Sequence, residues 1–90
     1  MNSTPLVSIV IPCFNQARFL QVSLESALAQ DWPSIESIVV DDGSTDATSQ
    51  IAKAHGATIV VRQDNRGLSA ARNAGLATDV RRMFVFVVII

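Results

Sequence analysis

The chain has 90 residues, of which 49% are hydrophobic and 17% charged, a composition that indicates one folded domain or part of one and excludes intrinsic disorder. Seven basic and eight acidic side chains give a net charge of −1 without basic runs, so the sequence does not predict a nucleic-acid partner or binding to an anionic membrane surface. The lone cysteine, Cys13, excludes an intrachain disulfide and a thiolate metal cage.

The first half of the chain predicts a strand, a helix and a second strand. Val7 to Pro12 is a β-branched run closed by proline, which is typical of a strand buried on both faces. Three leucines at a spacing of four, starting at Leu20, predict a helix that is capped by Asn15 and extends to about Gln30. The sequence Asp-Trp-Pro then breaks this helix, and the Ile/Val-rich run from Ile35 to Val40 predicts the second strand.

The second half continues the alternation. Residues 41–46, DDGSTD, form a turn cluster that is suited to start a helix ending at His55, with Gly56 as its stop. Thr58 to Arg62 predicts the third strand, and a polar loop at residues 63–67 follows it.

A helix of small residues is predicted from Leu68 to Ala77, and a fourth strand from Met83 to Ile90. Strands and helices that alternate at these intervals predict an α/β fold: a Rossmann-like parallel sheet with right-handed crossovers and helices on both faces.

Ligands of open parallel sheets bind beyond the carboxyl ends of the strands. This rule selects three loops, at residues 12–15, 41–46 and 64–67. Within them, a carboxylate of Asp41 or Asp42 stays ionised and can accept a hydrogen bond from a ligand N–H such as the imide of uracil. The alternative is that the acidic cluster caps its own turn and the following helix, and the local pattern does not separate the two.

Other candidate ligand contacts have similar alternatives. Phe14 is suited to cover a nucleobase, or to pack under the first helix. Asn15 fits a helix cap better than a ligand contact. Arg66 and Arg72 lie in and after the third loop, where a guanidinium would pair with a diphosphate, although each is also typical of a solvated surface arginine.

Four blocks together resemble the opening of the family 2 glycosyltransferases of the GT-A fold, in the family's order and spacing from Val7 to Ala77. The blocks are VSIVIPCFN, LESALAQ, IESIVVDDGSTD and NRGLSAARNAG. The resemblance implies a domain that binds a nucleotide-diphosphate sugar, often UDP-linked, and transfers the sugar with inversion. Six residues fall where the family surrounds the nucleotide: Pro12, Phe14, Asn15, Asp41, Asp42 and Arg72. Of these, Asp42 falls where the family accepts the uracil imide hydrogen, with Asp41 as the close alternative.

The sequence departs from the family after this point. The family continues into an Asp-x-Asp motif that holds Mg²⁺ or Mn²⁺, and this sequence contains no Asp-x-Asp. The acceptor-side domain with the general base is also absent, so we assign no catalytic residue and no cofactor to this chain. We expect residues 1–77 to be the nucleotide-sugar-binding part and residues 78–90 to be a divergent apolar tail of a truncated or frame-shifted copy, inactive alone.

Two further expectations concern partners and location. A non-catalytic nucleotide-binding remnant remains the alternative function, and an apolar sheet edge would favour self-association. The first residues carry no basic leader, and the apolar run MFVFVVII is far shorter than the roughly twenty residues of a membrane-spanning helix. We therefore expect the protein to be located in the cytoplasm, where the inner membrane surface is one of the places open to it.

Overall fold

Within residues 7–29, 35–78 and 84–90, which the computed structural model describes, a four-stranded parallel sheet packs against three helices. The elements in chain order are β1 (Val7–Cys13), α1 (Ala17–Leu28), β2 (Ile35–Asp41), α2 (Thr48–Ala54), β3 (Ile59–Arg62), α3 (Leu68–Thr78) and β4 (Phe84–Val87). The strand order is β3-β2-β1-β4, and every neighbouring pair is parallel. The predicted α/β class and parallel sheet are confirmed.

The two central strands are buried on both faces, as their β-branched composition predicts. Side chains of β1 point to opposite faces in turn, so Ile11 packs with Leu20 and Leu24 of α1, whereas Val10 packs with Ala71 of α3. Full burial of each large aliphatic side chain stabilises the fold by roughly 1.5–3 kcal/mol. Helices α1 and α2 therefore cover one face and α3 the other, which confirms the two-sided arrangement.

The start of α1 differs from the prediction. Gln16, not Asn15, is at the N-cap position, and it makes no side-chain capping hydrogen bond. Asn15 instead has a left-handed backbone with φ 53°, and its side chain is engaged by the loop after β2. The first-turn amide of Ala17 donates to a carboxylate oxygen of Asp46 at 3.2 Å. The Asn15 cap prediction is wrong because a partner distant in sequence supplies the cap.

The later elements agree more closely with the prediction. Helix α2 ends at Ala54, and Gly56, the predicted stop, follows with φ 91°. Strand β4 lies at the sheet edge and is shorter than the predicted run, although the amide of Val88 still donates to the carbonyl of Val10 at 2.9 Å. Predictions for Gln30, residues 31–33 and Met83 lie outside the described residues.

An exposed apolar edge is present at the C-terminal end of the described chain. Phe86 and Ile89 are each 58% exposed on or just after β4, the edge strand. This observation confirms the predicted apolar edge, and self-association through it stays a prediction. In the described part of the chain, no helix is long and apolar enough to cross a membrane.

Helix α3 lies unusually close to the sheet at Gly75. A Cβ atom added to this glycine would lie 2.4 Å from Cγ1 of Val10 and 3.1 Å from Cγ2 of Val40. Helix α3 therefore approaches β1 and β2 at a distance that only glycine allows, and this contact places the start of α3 beside the carboxyl ends of the strands.

Candidate functional site

The carboxyl ends of three strands meet at one edge of the sheet. Cys13 of β1 is in register with Asp41 of β2, which is in register with Arg62 of β3. The ladder continues past the strands, because the amide of Asp42 donates to the carbonyl of Cys13 at 2.9 Å and that of Gln63 to the carbonyl of Asp41 at 3.0 Å. The three predicted ligand-side loops are thus brought together.

Asp41 is fully buried and its carboxylate is held by the protein. Oδ1 accepts from the amide of Ser44 at 2.9 Å, and Oδ2 accepts from the hydroxyl of Ser49 and from Nη1 of Arg62 at 2.6 Å. Burial raises the pKa of Asp41, but hydrogen bonds from both serines and the Arg62 charge outweigh it and leave the pKa below its usual value. Asp41 remains ionised and ties β2 to α2 and β3.

Asp42 is nearly buried, at 3% exposure, and it points to a different set of partners. Its Oδ1 accepts from Nε2 of Gln63 at 2.8 Å and from the amide of Arg66 at 2.9 Å, and its Oδ2 accepts from the amide of Gly67 at 2.9 Å. Because α3 begins at Leu68, this carboxylate caps the start of α3. Burial raises the pKa of Asp42, and the three hydrogen bonds bring it below its usual value.

The two adjacent carboxylates serve opposite faces of the sheet because side chains alternate along an extended strand. Asp41 continues the face of Val39, which packs against α1 and α2, and it bonds to Ser49 of α2. Asp42 continues the face of Val40, which packs against α3. The sequence pattern left Asp41 and Asp42 as alternatives for the hydrogen bond to a ligand N–H. In the structure their side chains lie on different faces of the sheet.

Asn15 joins the loop after β1 to the loop after β2. Its backbone amide donates to Oγ of Ser44 at 2.8 Å, and its side-chain Oδ1 accepts from the backbone amide of Thr45 at 2.8 Å. In the same loop, a Cβ added to Gly43, at φ 81°, would lie 2.7 Å from the amide nitrogen of Asn65. Only glycine allows this approach, so the second and third loops are held in direct contact.

A groove of about 280 Å³ opens at this edge. It is lined from all three ligand-side loops, from α3 and from the end of the described chain: Pro12, Cys13, Phe14, Gln16, Asp42, Asn65, Gly67, Leu68, Ala71, Ile89 and Ile90. The ring of Phe14 is 44% exposed, so it is not packed into the core. An ionised, acceptor-only carboxylate and an aromatic ring therefore share one small groove.

The structure brings together three of the six predicted nucleotide-binding residues. Pro12, Phe14 and Asp42 line the groove, whereas Asn15 and Asp41 hold the loops around it. Arg72 is exposed on α3, next to the groove-lining Ala71 but not itself part of the lining. Nucleotide contact by each of the six residues stays a prediction.

Sequence reasoning missed two residues that organise the site. Arg62 pairs with Asp41 and also donates from Nη2 to the carbonyl of Ser44 at 2.8 Å. Gln63 bonds Asp42 directly. The sequence contains a signal for the Arg62–Asp41 pair, because a basic residue ends one strand and an acidic residue ends another. It contains no signal for the Gln63–Asp42 pair, because a glutamine in a polar loop is not distinctive.

The described residues do not fit a divalent cation. No group of three or more His, Cys, Asp or Glu side chains that could hold a metal occurs among residues 7–29, 35–78 and 84–90. Both carboxylates of the acidic pair are already engaged by N–H and O–H donors. We therefore assign no metal ligand in this part of the chain.

Residues 8–85 match the model of the family described as Glycosyl transferase family 2. The chain belongs to this glycosyltransferase family. It is 45% identical over 74 residues to an uncharacterized glycosyltransferase of Rickettsia prowazekii, covering 81% of this chain and 23% of that protein. It is 35% identical over 91 residues to the uncharacterized glycosyltransferase YibD of Escherichia coli, covering 97% and 26%. The chain thus spans about a quarter of the length of these glycosyltransferases.

Solved glycosyltransferase structures share the fold. A glucosyl-3-phosphoglycerate synthase from Mycobacterium tuberculosis, in complex with Mn²⁺, UDP and glucosyl-3-phosphoglycerate, matches with a TM-score of 0.79 and 28% identity over 94% of this chain and 33% of that chain. TarS of S. aureus in complex with UDP-GlcNAc matches with a TM-score of 0.76 and 30% identity over 93% and 26%. The described sheet and helices are part of a GT-A domain, which confirms both the resemblance and the fold class.

Proposed function

We propose that this chain supplies the nucleotide-binding part of an inverting glycosyltransferase, and that the groove lined by Pro12, Phe14 and Asp42 binds the nucleoside of a UDP-sugar. The observation that carries the proposal is the nearly buried, ionised carboxylate of Asp42 beside the exposed ring of Phe14 in one groove. Similar structures were solved with UDP or UDP-GlcNAc, which supports a uridine donor.

Each residue has a distinct part in this proposal. Because an ionised carboxylate only accepts hydrogen bonds, Asp42 selects a base that presents an N–H, as the imide of uracil does. The ring of Phe14 covers the base, since an aromatic face stacks on a nucleobase and excludes water. Pro12 forms the buried floor at the end of β1. For Arg72, which is exposed on α3, we propose a contact with the charged part of the nucleotide.

Sugar transfer is proposed for the complete protein, since the chain spans only about a quarter of its relatives' length. A mannosyltransferase from Pyrobaculum calidifontis with a TM-score of 0.75 was solved with GDP-Man and Mn²⁺. We infer that a Mg²⁺ or Mn²⁺ ion accompanies the diphosphate in the complete enzyme, where it would neutralise the leaving group. The described residues of this chain bind and orient the nucleotide instead.

A titration of the 90-residue chain with UDP tests the proposal directly, with Phe14→Ala as the informative variant. Loss of the ring is expected to weaken UDP binding roughly tenfold, because stacking on a base contributes about 1–3 kcal/mol. Phe19→Ala is the matched control, since Phe19 is 55% exposed on α1, outside the groove lining, and its ring contacts the guanidinium of Arg18 at 5.2 Å. Equal affinity in all three proteins would reject the groove as the nucleotide site.

The rival function is nucleotide binding without sugar transfer. It is distinguished by incubating the chain with a UDP-sugar and Mn²⁺ and measuring release of UDP. Release that exceeds the uncatalysed rate would contradict a purely binding role, whereas tight UDP binding without release would support it for this part of the protein.

A further inference from the structure

The side-chain amide of Gln63 is the one side-chain donor to the Asp42 carboxylate among its described partners. The other two donors are the backbone amides of Arg66 and Gly67, which any residue at those positions would supply. Gln63 directly follows β3, and its backbone amide donates to the carbonyl of Asp41 at 3.0 Å. A hydrogen bond that continues the sheet ladder therefore holds the backbone of Gln63, and its side chain extends from this held position to Asp42.

The distribution of donors leaves the two carboxylate oxygens of Asp42 unequal. An ionised carboxylate offers about four acceptor positions, two on each oxygen. Oδ1 accepts two hydrogen bonds, from Gln63 and Arg66, whereas Oδ2 accepts one, from Gly67. Among the described partners, Oδ2 therefore occupies the position with acceptor capacity remaining, and the Gln63 bond favours the carboxylate orientation that leaves this position available.

The charges around Asp42 make this neutral donor important. Burial raises the pKa of Asp42, and the negative charge of Asp41, which lies directly before it, adds a smaller rise. The Arg62 guanidinium on β3 is committed to Asp41. The side chains of Asp64 and Arg66, in the following loop, are exposed. The hydrogen bond from the uncharged amide of Gln63 therefore lowers the pKa of Asp42, against the rise caused by burial and by the Asp41 charge. It does so without adding a positive charge to the groove.

We propose that Gln63 is a positioning residue for the nucleotide site, which fixes the Asp42 carboxylate so that Oδ2 is the oxygen that accepts the nucleobase N–H. This inference rests on the proposed nucleotide-binding function. It assigns to Gln63 a role that acts through Asp42, with no contact to the ligand required.

Two variants and one control test the inference in the 90-residue chain. Gln63→Met keeps the length of the side chain and removes the donor. Gln63→Glu replaces the donor by a carboxylate that repels Asp42 at neutral pH. Gln50→Met is the matched control, because Gln50 is exposed on α2, away from the groove lining.

The first measurement uses no nucleotide and follows the carboxyl carbon of Asp42 by NMR as a function of pH. Gln63→Met is expected to raise the pKa of Asp42, and Gln63→Glu to raise it further, since like charges and lost donors both disfavour the ionised form. Gln50→Met should leave the pKa unchanged. An unchanged Asp42 pKa in both Gln63 variants would overturn the inference whatever the chain binds.

The second measurement is UDP affinity at neutral pH. The Gln63→Met chain is expected to bind UDP roughly five- to tenfold more weakly, and the acid limb of its binding profile should move to higher pH, as loss of a charge-assisted hydrogen bond predicts. Unchanged affinity despite a raised Asp42 pKa would also overturn the inference. Absence of UDP binding by the unaltered chain would instead reject the proposed function, and the NMR titration would still decide whether Gln63 fixes Asp42.

Discussion

Replacement of Gly75 by alanine gives a quantitative test of how closely α3 approaches the sheet. The added methyl group would lie 2.4 Å from Cγ1 of Val10 and 3.1 Å from Cγ2 of Val40, and both valines are fully buried. Overpacking of a core by one methyl group costs about 1–3 kcal/mol. Alanine regains about 1 kcal/mol of helix propensity over glycine. The expected net loss is therefore between about 0 and 2 kcal/mol, centred on about 1 kcal/mol.

Urea and thermal unfolding followed by circular dichroism measure this change. In a domain of this size, a loss of 1 kcal/mol lowers Tm by roughly 4–8 °C, so Gly75→Ala should be clearly separated from the unaltered chain. Ala77→Gly calibrates the propensity component, because Ala77 is exposed on the same helix. It is expected to destabilise the chain by at most about 1 kcal/mol, the value for a helix interior, because Ala77 lies in the last turn of α3.

A second substitution isolates the steric cost of the added methyl group. Val10→Ala removes the methyl group that the new Cβ would contact, so the double variant should lose less stability than the sum of the two single variants. Stabilisation by Gly75→Ala alone, at the level of its propensity gain, would refute the close approach of α3 to β1.

Two further predictions concern the loops of the site. Asn15→Gly and Asn15→Ala both remove the hydrogen bond to the backbone amide of Thr45, but only alanine is strained at φ 53°. Urea unfolding should therefore show Asn15→Ala to be less stable than Asn15→Gly by about 1 kcal/mol. Equal stability of the two variants would contradict the left-handed conformation of residue 15. The pKa of Asp41 lies below its unfolded value, so its contribution to the free energy of unfolding is present above the unfolded pKa and is lost as the pH falls through the folded pKa. Unfolding between about pH 6 and pH 2 should show stability decreasing with acid, less steeply in Asp41→Asn, and a parallel loss in that variant would contradict the assignment.

The framework of the fold follows from short-range patterns. The run from Val7 to Pro12 is apolar at every position except Ser8, and burial on both faces is the physical reason why such a run forms a central parallel strand. Gly56 stops α2 because it adopts a backbone conformation that other residues avoid. These features need no knowledge of distant contacts, so sequence reasoning finds them.

The details of the site depend on partners that are distant in sequence. Asn15 resembles a helix cap locally, but its side chain contacts Thr45, which lies 30 residues later. Asp41 and Asp42 are equivalent in a local pattern, and only the face to which each points separates them. Gln63 has no distinguishing context in its loop, and its importance follows from one hydrogen bond to a carboxylate that precedes it by 21 residues.

The capping of α3 by Asp42 also has a consequence for the order in which the protein is made. A ribosome releases β1, β2 and the acidic pair first, and the donors that hold Asp42 follow 21 to 25 residues later. Until residues 63–67 have emerged, the growing chain carries the Asp42 carboxylate without the amides that donate hydrogen bonds to it and orient it. The groove that we propose as the nucleotide site is therefore incomplete until β3 and the residues that follow it, up to Ile90, have been made and have joined the sheet.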